Sequence, residues 1–412
     1  KLGGMLTLGI PSYRLEKNVL EAEIDVIREM GVKFETGVEI GKDITIQTLR
    51  DRGFDAFFIA IGAQSGRKLG IEGEEADTVI SGVDFLRAIN LDDAMPVHGK
   101  VVVIGGGNVA IDVARSAARL KGVLKTDLFC LEARESMPAH KEEVDEALEE
   151  EIGINNNWGP SRIITENGKV VGMEFKRCLS SFDAQGRFNP QYDESDKIVV
   201  PCDYVLLSVG QTYAYGDLLK GESVKLTGRN TIEVDPITLQ STKEDIFAGG
   251  DIASGPRLAI DAIAAGKEAA VSLHRFVQNG QSLLFGRDTQ TYIMLDKANL
   301  DQLDYDGTER QRTAHVDGKV AKTTFKDLRG ILTEEQIVKE TARCLGCGAT
   351  KVDTYLCVGC GACTLRCKFD AIKLERVYDA IGFEIDDLPK AVMKKALTRK
   401  AKITLNKLNP FN

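Results

Sequence analysis

One stretch, KVVVIGGGNVAIDVARSAARLKG (Lys100–Gly122), constrains the fold of this 412-residue chain more than any other. It is typical of a buried strand, a tight glycine turn and an amphipathic helix. The turn has the pattern G-x-G-x-x-A. The first glycine makes the turn, the second lets a pyrophosphate approach the backbone, and the small third residue lets helix and strand pack closely. The stretch therefore predicts a dinucleotide site whose cofactor-binding residues are Gly105, Gly107, Asn108 and Ala110.

The next predicted strand, DLFCLE, ends at Glu132, where a residue facing the adenosine ribose is expected. A carboxylate at this position accepts hydrogen bonds from the ribose hydroxyls and repels a 2′-phosphate. Glu132 therefore favours NADH over NADPH. Two alternatives stay open: Glu132 is a surface residue at a strand end, or Arg134 reaches a 2′-phosphate.

Other segments place this unit in a larger α/β pattern. Residues 15–32 have apolar side chains at helical spacing, and short apolar runs that contain glycine at or near their ends occur at 54–63, 202–211 and 245–251. Strands that alternate with helices indicate a parallel sheet with crossover helices. The acidic stretch 135–153 is interpreted as a solvated helix face. After Gly286 the pattern weakens into a polar connector.

Six of the nine cysteines lie in the 24-residue stretch from Cys344 to Cys367. CVGCGACTLRC has the C-x2-C-x2-C-x3-C spacing of bacterial ferredoxins, although Lys368 stands where a proline is usual. Six thiolates complete one [4Fe–4S] cluster but fall two short of two all-cysteine clusters, so a second cluster is left open. The predicted metal ligands are Cys344, Cys347, Cys357, Cys360, Cys363 and Cys367.

Two other uses of these cysteines are weaker. Structural zinc needs two C-x2-C pairs and would leave Cys363 and Cys367 unused. Disulfides do not suit an intracellular chain, and no secretory signal is visible. The three remaining cysteines, Cys130, Cys178 and Cys202, are predicted to be ordinary packing residues.

Residues 1–280 resemble the small subunit of glutamate synthase and its relatives, a family of flavin- and pyridine-nucleotide-dependent oxidoreductases. The resemblance rests on GGMLTLGIPSYRL, FIAIGA, VVVIGGGNVAIDVAR, ESMPA, SVGQ and DIFAGGD. It implies an α/β fold with two Rossmann-like nucleotide-binding domains, an FAD domain with an inserted NAD domain, followed by a small ferredoxin-like iron–sulfur module. The expected domains are residues 1–96 (first part of the FAD domain), 97–212 (NAD domain), 213–284 (return of the FAD domain), 285–340 (connector), 341–376 (iron–sulfur module) and 377–412 (C-terminal tail).

The same resemblance implies the FAD-binding residues. Asp251 would bind the ribityl chain or pyrophosphate of FAD, and Gly250 would let the cofactor come close. Gly9, Ile10, Pro11 and Arg14 would line the isoalloxazine, and Gly3, Gly4 and Gly62 complete the predicted set. In the family an FAD-binding G-x-G-x-x-G unit precedes the GG-x-L stretch. We expect that unit on a further segment or on another chain.

These signals predict an NAD(P)H-dependent oxidoreductase. NADH would pass hydride to FAD, and FAD would pass single electrons to the cluster and on to a partner subunit or ferredoxin, with an electron-bifurcating complex as one setting. The alternatives are the electron-input small subunit of glutamate synthase and a non-catalytic scaffold that carries clusters. The net charge of −9 disfavours nucleic acid as a partner. No apolar run is long enough for a membrane span, and we expect a cytoplasmic location.

Overall fold

The structure, a computed structural model, describes residues 1–92, 95–278, 280–287, 308–314, 316–344, 357–366, 372–375 and 385–408. The chain divides into two compact units, Lys1–Ala342 and Arg343–Asn412. The strands are β1 Phe57–Ile59, β2 Ser65–Gly66, β3 Val79–Ser81, β4 Gly99–Ile104, β5 Val123–Phe129, β6 Gly153–Asn155, β7 Trp158–Glu166, β8 Lys169–Phe182, β9 Phe188–Pro201, β10 Tyr204–Leu207, β11 Gln211–Thr212 and β12 Ile246–Ala248. The helices are α1 Gly4–Leu8, α2 Lys17–Glu29, α3 Ile46–Asp51, α4 Gly82–Asn90, α5 Asn108–Ala118, α6 Lys141–Glu149, α7 Asp251–Ser254, α8 Ala259–Phe276, α9 Gly318–Ala321, α10 Glu334–Ala342, α11 Ala362–Arg366 and α12 Leu388–Leu408.

A five-stranded parallel sheet in the order β3-β10-β4-β5-β6 forms the centre of the first unit. Its middle strand β4 carries consecutive buried valines at 101–103, as expected for a parallel strand covered on both faces. Helix α5 packs on one face, where Phe85, Leu128 and Leu206 belong to the same core. The predicted strand, turn and helix at 100–122 are therefore present as β4 and α5.

An antiparallel sheet, β7-β8-β9, covers the other face of the parallel sheet. The rings of Phe129 on β5 and Phe175 on β8 stack there with their centroids 4.1 Å apart. Met173 is also fully buried in this second core. The sequence analysis did not predict this sheet.

A second parallel pair, β1 and β12, lies in the same unit, with Phe58 opposite Phe247. Ile46, Ile232 and Ile252 form its core. Helix α2 occurs where the spacing predicted it. Helix α2 buries Leu20 but leaves much of its apolar face exposed to solvent among the described residues, with 59% of Val26 accessible.

The second unit contains α11 and the long helix α12 among its described residues. The sequence of α12 carries seven lysine and arginine residues and no acidic residue.

Candidate functional site

The glycine turn between β4 and α5 is shaped for a bound phosphate. Gly105 has φ +140°, and a Cβ there would lie 2.3 Å from the carbonyl oxygen of Ser208, so only glycine fits. Gly107 is the N-cap of α5, and a Cβ there would have no protein atom within 4 Å. The helix N-terminus thus faces open space, and its free N–H groups attract an anion. A dinucleotide pyrophosphate fits this cradle.

Glu132 lies directly over the turn. A Cβ on Gly106 would be 2.5 Å from Oε2 of Glu132, so the carboxylate occupies the space that the glycine leaves free. The backbone carbonyl of Glu132 accepts hydrogen bonds from the N–H of Asn157 at 3.2 Å and from Nδ2 of Asn156 at 3.0 Å. These bonds fix the backbone of Glu132 beside the turn.

Arg134, the alternative ligand for a 2′-phosphate, is paired with Asp145 on α6 at 2.9 Å. The other terminal nitrogen of its guanidinium, Nη1, is buried without a hydrogen-bond partner. The ion pair thus uses only part of the hydrogen-bonding capacity of Arg134. Glu132 and Arg134, the two residues predicted to contact the adenosine ribose or its 2′-phosphate, lie at the same end of the sheet.

The segment before α6 closes over the turn. The N–H of Ala139 donates to the carbonyl of Gly106 at 3.1 Å, and the N–H of His140 donates to Oδ1 of Asn108 at 2.8 Å. Asn108, a predicted cofactor residue, therefore uses its side-chain oxygen to fix the ESMPA stretch beside the turn.

The residues predicted for FAD fall into two groups. Gly62, Gly250 and Asp251 follow the carboxyl ends of β1 and β12, where a ligand of a parallel sheet is expected. Gly250 has φ +71°, and the Asp251 carboxylate accepts a hydrogen bond from the N–H of Arg257 at 3.2 Å. Burial raises the pKa of Asp251 above its ordinary value. Glycine backbone and a fixed carboxylate at a strand end fit the pyrophosphate or ribityl chain of a flavin nucleotide.

The second group surrounds α1. Gly3 and Gly4 begin this helix with positive φ, and Gly9 ends it, where a Cβ would lie 2.4 Å from the methyl group of Met5. Ile10 and Pro11 continue the loop. The remaining member, Arg14, directs its guanidinium to Asp112 on α5 and Glu143 on α6.

A buried ion network joins α5 to α6. Glu150, at the end of α6, accepts hydrogen bonds from Arg115 at 2.7 Å and from Arg119 at 2.8 Å. Burial alone would raise the pKa of Glu150, but the two guanidinium groups lower it below its ordinary value. Only 1% of the Glu150 side chain is exposed. The interpretation of residues 135–153 as a solvated helix face is therefore wrong at this position, because the acidic pattern does not show where two arginines of α5 lie.

The cysteine module is described in part. Gly359 and Gly361 have φ of +66° and +75°, which permits the tight backbone expected between cluster ligands. Cys344, Cys357, Cys360 and Cys363 are exposed free thiols, whereas Cys347 and Cys367 lie outside the described residues. Within the described ranges no group of three or more metal-binding side chains is assembled. The ligand set stays a prediction. Cys130, Cys178 and Cys202 are buried, as expected for packing residues.

Fold and site together define a class: an α/β protein with an open glycine cradle for a dinucleotide and a separate unit with ferredoxin-type cysteine spacing. Residues 9–266 match the family model described as pyridine nucleotide-disulphide oxidoreductase, and the chain belongs to that family. Residues 350–373 match the 4Fe-4S binding domain, which includes the Cys357–Cys367 run but neither Cys344 nor Cys347. The predicted class, an NAD(P)H-dependent oxidoreductase with flavin and iron–sulfur modules, is confirmed.

Curated relatives agree with this assignment. The chain is 40% identical over 282 residues to the NADP(+)-dependent formate dehydrogenase subunit beta of Moorella thermoacetica, covering 68% of this chain and 39% of that protein. It is 31% identical over 376 residues to the NADPH-Fe(3+) oxidoreductase subunit beta of Geobacter sulfurreducens, covering 84% and 56%. It is 32% identical over 295 residues to the glutamate synthase [NADPH] small chain of Escherichia coli, covering 68% and 62%. The predicted resemblance is thus confirmed, and the chain spans less than two thirds of each of these relatives.

Among solved structures, FprA of Mycobacterium tuberculosis in complex with NADPH is similar with a TM-score of 0.56 and 18% identity, over 67% of this chain and 75% of that one. This similarity supports the predicted α/β fold alone. None of the described helices combines the length and the apolar character that crossing a membrane requires.

Proposed function

We propose that this chain is the NAD(P)H-oxidising part of a multi-subunit redox enzyme and connects a nicotinamide donor to iron–sulfur acceptors through FAD. One observation carries the proposal: a single chain combines an open phosphate cradle at Gly107 with the ferredoxin spacing from Cys357 to Cys367. When bound, the nicotinamide supplies a hydride, the flavin converts the electron pair into single electrons, and the cluster carries them onward.

The protein residues would act by binding and positioning. The α5 N-terminus and Gly107 would hold the nicotinamide pyrophosphate, and the Asp251 carboxylate would hold the flavin nucleotide beside Gly250. The thiolates of the Cys357–Cys367 run would ligate one [4Fe–4S] cluster, with Cys344 and Cys347 as candidate ligands of a second. The domain boundaries predicted from the sequence belong to this proposal.

Within this function we propose that NADH is preferred over NADPH. The Glu132 carboxylate over Gly106 supports this choice, because it would face the ribose hydroxyls and repel a 2′-phosphate. The ion pair with Asp145 engages only one terminal nitrogen of Arg134, so it gives this choice partial support. The names of the three relatives, each with NADP or NADPH, argue the other way. Direct measurement on this protein therefore decides the donor.

The partners in this proposal are other subunits of a redox complex and a ferredoxin or similar iron–sulfur protein. Several relatives are named as beta subunits or small chains. Electron bifurcation to two acceptors is one form of this arrangement. Delivery of electrons to a glutamate synthase large subunit is the second candidate, and the match to the glutamate synthase small chain favours it.

A visible spectrum and an anaerobic NADH titration of the purified complex test the function. We expect flavin bands with a broad iron–sulfur shoulder, and both should bleach when NADH is added. A shoulder without flavin bands, or a flavin that neither NADH nor NADPH reduces, would favour the non-catalytic scaffold.

The donor preference is tested by replacing Glu132 with Arg, with Glu135→Arg as the control because Glu135 is an exposed residue nearby. A hydrogen bond to a charged group contributes about 1.5–3 kcal/mol, and about 1.4 kcal/mol corresponds to a tenfold preference. We expect at least tenfold higher kcat/KM with NADH than with NADPH, reduced or reversed only by Glu132→Arg. Equal or better use of NADPH by the unmodified protein contradicts the assignment.

A further inference from the structure

The loop between α1 and α2 contains Tyr13 and Arg14. Their side chains bind residues of the nucleotide domain that follow much later in the sequence. Nη1 of Arg14 donates to both carboxylate oxygens of Asp112 on α5, at 2.8 and 2.9 Å. Nη2 of Arg14 donates to Glu143 in the first turn of α6. The hydroxyl of Tyr13 donates to the backbone carbonyl of Asp112 at 3.3 Å. We call Arg14, Asp112 and Glu143 the latch.

The latch holds the same two elements that form the dinucleotide cradle. Asp112 lies on the helix whose N-terminus is at Gly107, and Glu143 lies on the helix whose preceding segment is bonded to Gly106. A movement of the α1–α2 loop would therefore have to break the latch or carry the cradle with it. The α1–α2 loop is predicted to face the flavin, and the latch connects this loop to the predicted nicotinamide dinucleotide site.

A second layer covers the latch. Residues 308–314 and 316–329, which we call the strap, pack along α5 and α6. Nε of Arg119 donates to the carbonyl of Thr324 at 2.9 Å, and Nη2 of Arg329 donates to the carbonyl of Arg14 at 2.8 Å. The ring of Phe325 lies 6.2 Å from that of Tyr13. The strap part of the predicted connector thus packs against the nucleotide domain, and it borders a cavity of about 350 Å³ that Tyr13, Arg14 and Glu143 also line.

A gain in folding free energy does not account for the presence of the latch. Burial raises the pKa of Asp112 to about 6, although the Arg14 guanidinium acts in the opposite direction. Because this folded pKa lies above the ordinary value, the ionised form costs folding free energy as the pH rises through it. A buried ion pair of this kind is weak evidence for stability and can serve to specify geometry.

We propose that the Arg14–Asp112 pair positions the α1–α2 loop against α5, so that both cofactor regions keep the one relative orientation in which hydride transfer is fast. This inference rests on the proposed function. Arg14 is then a positioning residue that acts through the loop. The ionised state of Asp112 is required, and the charged and titratable groups that face it are Arg14, Tyr13, Lys17, Arg115 and Glu143.

The test compares the holoenzyme with its Asp112→Asn and Arg14→Lys variants between pH 5.5 and 8. The matched control is Glu222→Gln, which alters a similarly buried ion pair with Arg50 away from the latch. Stopped-flow absorbance gives the rate of flavin reduction by NADH and the Kd for NADH. Thermal unfolding gives stability, and amide hydrogen exchange gives the protection of residues 9–15 and 316–329.

For Asp112→Asn at pH 7.5 we expect at least tenfold slower flavin reduction, less than threefold change in the Kd for NADH, and an unchanged or higher Tm. Flavin reduction by the unmodified protein should slow below about pH 6, and this pH dependence should be absent in Asp112→Asn. Arg14→Lys should retain part of the rate. Exchange in the loop and strap should accelerate at least tenfold in Asp112→Asn but not in Glu222→Gln.

Flavin reduction by Asp112→Asn at the unmodified rate, or with the unmodified pH profile, overturns the inference. Unchanged exchange in the loop overturns it as well, and this readout does not depend on activity. Failure of both NADH and NADPH to reduce any of the proteins would instead refute the proposed function, and the exchange data would still decide whether the latch holds the loop.

Discussion

Two glycines of the same turn are predicted to respond in opposite ways to the addition of one methyl group. In Gly105→Ala the new Cβ would lie 2.3 Å from a backbone carbonyl oxygen, at φ +140°. In Gly107→Ala the backbone already has φ −91° and ψ 174°, and the new Cβ would meet no protein atom. The first change should damage the fold, and the second should damage only the ligand site.

The magnitudes follow from these surroundings. For Gly105→Ala, backbone strain costs about 1–3 kcal/mol and displacement of the Ser208 carbonyl about 1–3 kcal/mol more. Such a loss is a large part of a typical unfolding free energy of about 5–15 kcal/mol. For Gly107→Ala we expect the unfolding free energy to fall by less than about 1 kcal/mol, because the sole cost is that alanine is a poorer N-cap than glycine. A methyl group in the cradle should weaken NADH binding at least tenfold, or by about 1.4 kcal/mol.

Urea unfolding followed by circular dichroism and an NADH titration of each variant check this prediction. Gly107→Ala should keep the unfolding midpoint of the unmodified protein and lose affinity, whereas Gly105→Ala should lose both. NADH binding by Gly107→Ala at full affinity would show that the α5 N-terminus is not the phosphate site. Equal destabilisation by both changes would refute the packing argument.

Three further outcomes are expected. Asp251→Ala should lower the flavin content of the purified complex and its NADH oxidation with any acceptor, and stoichiometric flavin with normal turnover would leave Asp251 a turn residue only. Cys360→Ser should remove most bound iron and stop electron delivery to the partner, while NADH still reduces the flavin; unchanged iron content would contradict the cluster assignment. Glu150→Gln should cost about 3–5 kcal/mol at pH 7. Because the pKa of Glu150 is lowered, its contribution is present above its ordinary pKa of 4.5 and is lost as the pH falls through the folded value. The two proteins should therefore converge in urea unfolding in acid.

The sequence predicted those parts of the fold whose cause is local. The glycine turn, its strand and its helix are specified within about 20 residues. Gly105, Gly107 and the position of Glu132 at a strand end could therefore be inferred without knowing which distant residues pack against them. Arg14 and Asp112 are separated by 98 residues, and no local pattern indicates that such a pair will meet. Their role could not be inferred from residue type, because arginine and aspartate side chains are usually exposed.

The antiparallel sheet was missed for a different physical reason. Strand β8 pairs with β9 through register shifts between Lys176 and Arg177 and between Cys178 and Ser180. Each shift moves side chains to the other face, so strict alternation of apolar and polar residues is lost. Within α6, Glu142 and Glu149 are exposed as the solvated pattern predicts, and no feature of the sequence distinguishes Glu150 from them.

The seven positive charges of α12 change how the net charge of the chain should be understood. Because the whole chain carries −9 and α12 carries seven positive charges and no negative one, the other residues sum to −16. The modest total therefore hides a strong separation of charge. Ion exchangers of either sign can retain such a chain at low salt, and its association with charged partners should slow as ionic strength rises, since the Debye length falls to about 8 Å near physiological salt.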